Sequence, residues 1–180
     1  MVSLGTTRDN PDYYAIEVMN EVLGGGSSSR LFTNIRSKKG LAYAVGGRVG
    51  TAFDHPGVFS LGLGTKSAST TEAIQALYEE IEALQKDPPT EAELKRAKDS
   101  ILNSFIFNFD SPEKVLREKM AYEYYGYPLD FLERYRAGIE KITAQDVSRV
   151  ARKYVPAKEK LAVLVVGNPQ ELGNQLASLG

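Results

Sequence analysis

The sequence predicts an α+β domain with helices packed on one face of a sheet. Three observations lead there: two strand-like segments ahead of the midpoint, a block of amphipathic helical segments after them, and a short apolar run near the end. Nothing resembling a linker divides the 180 residues, and 42% of them are apolar, so residues 1–180 are expected to form a single domain.

Between Pro11 and Leu23 the apolar residues Ile16, Met19, Val22 and Leu23 recur at helical spacing, and Gly24 stops the pattern. Gly24, Gly25 and Gly26 follow, then three serines, any of which can cap a short helix turning Leu31, Phe32 and Ile35 inward. That helix should end near Gly40, the usual residue type just past a helix C-terminus. The glycines themselves suggest positive φ angles and a tight exit from the first helix.

Residues 43–53 and 57–64 are expected as strands, with the turn chemistry Asp54-His55-Pro56-Gly57 between them. Phe59, Leu61 and Leu63 alternate with Ser60, Gly62 and Gly64, giving one apolar face and one nearly bare face. The bare face either admits another backbone or relieves crowding within the sheet.

Ser69-Thr70-Thr71-Glu72 has the form of a capping box, with Ile74, Leu77, Tyr78, Ile81 and Leu84 as the stripe behind it. Pro88-Pro89 ends that helix, and Thr90-Glu91-Ala92-Glu93 opens another, whose buried face is Leu94, Ala97, Ile101 and Phe105. Ser111-Pro112 starts a third, running to about Tyr125 and stopping at Gly126, with the aromatic run around it packed at the helix end. Further helices are expected at 129–139 and 143–154, and Leu161 to Val166 as a central strand closed by Gly167-Asn168-Pro169. No internal repeat is visible.

Composition excludes several functions. There are no cysteines, so disulfides, thiolate zinc sites and cysteine nucleophiles are out. The single histidine, His55, sits in the expected turn, and one His without Cys does not make a zinc site. Asp54-His55 cannot supply triad geometry as sequence neighbours, and no nucleophile elbow is present. A formal net charge of −1 offers no basic field for nucleic acid, and Arg36, Lys38 and Lys39 fit a solvated helix end. The glycine-rich stretch fails the P-loop pattern, because no Lys follows before Lys38. The segment MVSLGTTRDN lacks the n-region and h-region of a signal peptide, and no apolar run is long enough for a transmembrane segment. The expectation is a soluble protein, periplasmic or cytoplasmic.

The stretch Leu23 to Tyr43 gives the chain its relatives. Leu23-Gly24-Gly25-Gly26, Ser29-Arg30-Leu31-Phe32, Ile35-Arg36 and Gly40-Leu41-Ala42-Tyr43 stand in the order and spacing of one family. Ser60-Leu61-Gly62-Leu63-Gly64-Thr65, Pro89-Thr90-Glu91-Ala92-Glu93-Leu94 and Tyr125-Gly126-Tyr127-Pro128-Leu129-Asp130 extend the match over nearly the whole chain. It resembles the C-terminal half of the pitrilysin/insulinase zinc peptidases, the inverzincins, in the branch that includes mitochondrial processing peptidase.

The resemblance implies a mostly antiparallel mixed sheet with helices on one face, as in each half of those enzymes. The zinc-binding half carries H-x-x-E-H, a motif absent here. The chain therefore resembles the half without metal, excised from a longer protein or paired with a zinc-bearing half or subunit. It implies no cofactor in this chain and zinc in the partner, a peptide or unfolded protein segment as substrate, and inactivity alone. By motif position, Arg36 and Tyr43 are the residues that reach the substrate, and Gly24, Gly25 and Gly26 match a glycine-rich segment implicated in substrate handling. Read from the residues alone, Arg36 is a cation suited to a helix C-terminus and Tyr43 a strand aromatic. A proteolytically inert structural subunit of a larger assembly is the alternative the resemblance also allows.

Overall fold

A computed structural model describes residues 1–128, 130–172 and 176. Its sheet has four strands: β1 (Val2–Leu4), β2 (Thr6–Thr7), β3 (Ala44–Ala52) and β4 (Pro56–Gly64), in the order β1-β4-β3-β2. β3 and β4 form an antiparallel hairpin, β1 is antiparallel to β4, and β2 runs parallel to β3. The expected α+β class and mostly antiparallel mixed sheet are both found, with β3 and β4 within a residue of their expected bounds.

Helix α1 (Tyr13–Gly24) is the centre of the molecule, packing on β3 and on three later helices. Ile16, Val18, Met19 and Leu23 are fully buried with Val49 and Phe59 of the sheet. Asn20 stitches helix to sheet: its amide donates to Val49 C=O at 2.9 Å and accepts from Val49 N–H at 2.8 Å. A polar side chain on an otherwise apolar helix face is thereby satisfied in the one register that also sets the height of Gly24 on the sheet.

The α-helices that follow are α2 (Thr70–Lys86), α3 (Glu91–Phe105), α4 (Pro112–Tyr124), α5 (Phe131–Lys141), α6 (Ala144–Tyr154) and the short α7 (Pro169–Leu172). The expected start of α5 at residue 129 lies outside the described residues. Thr90 forms the predicted capping box with Glu93, Ser111 caps α4 with Pro112 behind it, and Gly126 takes φ +69° to stop that helix. Thr143 and Asp146 make a further capping box that the sequence reading did not single out.

Two local expectations are overturned. Ser69 makes no side-chain cap, because Ser67–Ser69 is a 3-10 turn feeding straight into α2, and the Ser69 N–H bonds Lys66 C=O. The run Leu161–Val166 is not a central strand. It touches the sheet at one antiparallel bridge, Val2 to Ala162, outside β1, and Leu164 and Val166 are exposed. The physical reason is pairing: beyond the Val2–Ala162 bridge no backbone bond joins residues 163–166 to the sheet among the described residues, and strand propensity without a ladder partner makes no strand.

Asp12, just ahead of α1, is buried and accepts from Arg149 at 2.6 Å, Lys153 at 2.9 Å and the Tyr154 hydroxyl at 2.8 Å, joining α1 to α6. Burial opposes its ionisation, but the bonds from Lys153, Arg149 and Tyr154 outweigh that and bring its pKa down to about 2. A depressed carboxylate stabilises the fold above its unfolded pKa, near 4, and the contribution is lost as pH falls towards 2. Urea unfolding at pH 4.5 and pH 2 is expected to show wild type losing on the order of 2 kcal/mol more than the Asp12→Asn variant. Equal losses would contradict the assignment.

Candidate functional site

After α1, Ser29 is buried and starts the next helical turn, its Oγ accepting from Phe32 N–H at 3.4 Å. Arg30 then turns back to α3. Its guanidinium bonds both carboxylate oxygens of Glu93, at 2.8 and 3.2 Å, and the carbonyls of Asp87 and Pro88. The bonds from Arg30, opposed by burial and aided by the Thr90 backbone N–H, hold the Glu93 carboxyl at about 2. Glu93 thus serves its own helix cap and anchors the loop that leads to the candidate residues, 63 positions away.

Phe32–Lys38 is a π-helical segment, closed by Lys39 N–H to Asn34 C=O at 3.1 Å. Such wide turns are uncommon and concentrate at functional sites. Ile35 is buried and fixes the segment against the core, while Arg36 points to solvent with its guanidinium 4.6 Å above the Phe32 ring. Stacking holds the planar group while leaving its in-plane N–H donors free; no hydrogen bond engages them among the described residues.

Gly40 takes φ +65° and turns the chain into β3, with Leu41 N–H reaching back to Ile35 C=O. Leu41 C=O accepts from the Thr65 hydroxyl at 2.6 Å, and Tyr43 N–H donates to Gly64 C=O at 3.0 Å. Tyr43 is thus held by its backbone, and its ring lies on Gly64, where any Cβ would overlap it. The ring is nevertheless 73% exposed and its hydroxyl has no partner among the described residues. The packed-aromatic reading of Tyr43 does not hold. The bare face of β4 is explained in part by this ring, since Gly64 makes room for it while Gly62 faces open space.

The three glycines divide by role. A Cβ on Gly24 would come within 2.5 Å of Gly47 N and 2.6 Å of Gly47 O, so α1 meets β3 backbone to backbone there. Gly25 is crowded by Glu21, and Gly26 is nearly free. None of the three has positive φ, which corrects that expectation: helical geometry continues through Gly25, and contact with the strand, not the turn, excludes a side chain.

The structure does not gather all five residues into one cleft. Tyr43 lines a groove between the end of β4 and residues 163–167. Gly24 and Gly25 line a separate polar cleft with Glu17, Glu21, Arg48 and Ser104. Burial pushes the Glu17 carboxyl up, partly offset by Arg48 and Arg8. Arg36 stands on the surface. His55 pairs with Asp54 at 2.7 Å in the exposed hairpin turn. Among the described residues no three His, Asp or Glu side chains converge as metal ligands.

The fold is that of an α+β domain with a four-stranded mixed sheet. The family described as the Peptidase M16 inactive domain matches residues 1–101, and the chain belongs to that family. It is similar to an uncharacterized zinc protease of Mycobacterium bovis, 29% identical over 168 residues, covering 92% of this chain and 38% of that protein. A homologue from Helicobacter pylori named a non-peptidase homolog is 28% identical over 156 residues, covering 86% of this chain and 35% of that one. Among solved structures, a peptidase M16 inactive domain from Pseudomonas fluorescens superposes with TM-score 0.78 at 27% identity, covering 87% of this chain and 37% of that one. The chain thus spans little more than a third of these relatives' lengths, and the matches define the family without selecting a branch.

Proposed function

We propose that this chain is the non-zinc half of a zinc metalloendopeptidase, closing a chamber around an extended peptide and completing the site with Tyr43 and Arg36. The observation that carries the reading is the Tyr43 hydroxyl, backbone-held and ring-supported yet without an internal partner among the described residues. A donor held in place and not engaged by another group of the chain suits a charge that develops elsewhere.

Peptide hydrolysis passes through a tetrahedral centre with a negative oxygen. Zinc in the partner half would supply Lewis-acid polarisation and an activated water. In this reading the Tyr43 O–H donates to that oxygen, and Arg36 donates in-plane to carbonyls of the flanking peptide, keeping it in register. Gly26, with nearly open space where a side chain would stand, lets the peptide backbone approach the end of α1. Reconstitution tests the proposal: cleavage of an unstructured peptide should appear only when the chain is mixed with its zinc-bearing partner.

A second reading, an inert structural subunit, draws on the Helicobacter pylori relative named as a non-peptidase homolog. It predicts an assembled complex in which substitutions at Tyr43 and Arg36 change nothing.

A further inference from the structure

β4 carries Gly62 and Gly64 on one face, two residues apart, and only the second is crowded. A Cβ on Gly62 would meet nothing within 4 Å among the described residues. A Cβ on Gly64 would overlap Cζ and the hydroxyl oxygen of Tyr43 and come within 2.7 Å of its Cε1. All three atoms belong to the far end of the ring. What lies over Gly64 is the phenol itself.

The backbone does not call for glycine at this position. Gly64 lacks the positive φ that Gly40 and Gly126 adopt, and it pairs with Ala44 in the β3–β4 ladder as any strand residue would. Glycine weakens a strand, so its presence there points to a close approach from outside the strand. The approaching group is the Tyr43 ring. The same end of β4 also holds the chain on either side of that ring. Gly64 C=O accepts from Tyr43 N–H at 3.0 Å, and the Thr65 hydroxyl donates to Leu41 C=O at 2.6 Å. These two ties place the Tyr43 backbone and leave only the choice of side-chain rotamer. Rotamer wells lie about 120° apart, so a ring forced out of this one carries its hydroxyl several ångströms away.

We propose that Gly64 is a positioning residue: by having no side chain it admits the Tyr43 ring in one rotamer and so sets where the hydroxyl stands. This rests on the proposed role of Tyr43 and adds the residue that aims its O–H. An oxyanion donor works by being oriented in advance. A ring that is 73% exposed draws little orientation from surrounding packing, and its seat on Gly64 supplies it. In Gly64→Ala the added methyl meets the tip of an exposed side chain and not the backbone, so the ring swings off while the fold is kept.

The test compares Gly64→Ala with Gly62→Ala in the complex with the zinc-bearing half. Gly64→Ala is expected to lower kcat about a hundredfold, as Tyr43→Phe does, with KM little changed. Gly62→Ala is expected to keep the wild-type kcat. The double variant Tyr43→Phe/Gly64→Ala should be no slower than Tyr43→Phe, because both changes withdraw the same hydroxyl. Wild-type kcat in Gly64→Ala, or losses that multiply in the double variant, would overturn the proposal. Wild-type kcat in Tyr43→Phe would instead sink the reading of Tyr43 as a donor, and the proposal with it. NMR of the chain checks the seat without any turnover. Nuclear Overhauser contacts from the Tyr43 ring to residue 64 are expected in wild type and Gly62→Ala and lost in Gly64→Ala, with the β3–β4 cross-strand contacts kept in all three. No such contact in wild type, or its persistence in Gly64→Ala, would overturn the proposal whatever the kinetics.

Discussion

The Tyr43→Phe variant, assembled with a zinc-bearing half, is expected to lose about a hundredfold in kcat, the effect of removing one oxyanion donor. KM should change little, because the hydroxyl acts on charge that exists only in the transition state. The structure makes this substitution clean. The ring rests on Gly64 and the backbone is bonded to Gly64 and flanked by the Thr65–Leu41 contact, so phenylalanine keeps every support. With the residue 73% exposed and its hydroxyl unbonded among the described residues, stability should stay within about 0.5 kcal/mol of wild type. Equal kcat in an intact complex would return Tyr43 to a purely surface role.

The Gly24→Ala variant is expected to destabilise the fold by about 3 kcal/mol, the upper range for overpacking. The added methyl would meet Gly47 N and O at 2.5 and 2.6 Å, and both atoms are strand backbone that cannot rotate away. Asn20 prevents escape by sliding, since its paired bonds to Val49 fix the helix on the strand. Gly26→Ala, whose added methyl would meet only Glu21 Oε1 at 3.7 Å, should cost no more than about 0.5 kcal/mol. Urea unfolding of the two variants separates a glycine required by packing from one left free for a ligand. Similar losses in both would contradict that division.

Short-range chemistry was legible in the sequence. The caps at Thr90 and Ser111, the stop at Gly126 and the β3–β4 hairpin depend on neighbours a few residues apart, and they were found. The Ser69 box failed because an equally local alternative, the 3-10 turn bonded to Lys66, takes the same backbone. Leu161–Val166 failed for the opposite reason: β-propensity reports what a segment prefers, while a ladder needs a partner that composition cannot reveal. Of the site, the positions of Arg36 and Tyr43 came from motif spacing, but their outward aim did not. A tyrosine flanked by Ala42 and Ala44 gives no alternation from which to choose a face. The Arg30–Glu93 clamp and the Asn20–Val49 pair join distant residues, and a single sequence holds no signal for either.

In the proposed function this chain completes a peptide-cleaving site whose zinc is supplied by another half. The measurement that tests it most directly is kcat/KM on an unstructured fluorogenic peptide for this chain, for the zinc-bearing half, and for the two combined with assembly verified by sedimentation. Turnover is expected in the combined sample alone. Full turnover by the zinc-bearing half without this chain, or none from the verified complex, would contradict it.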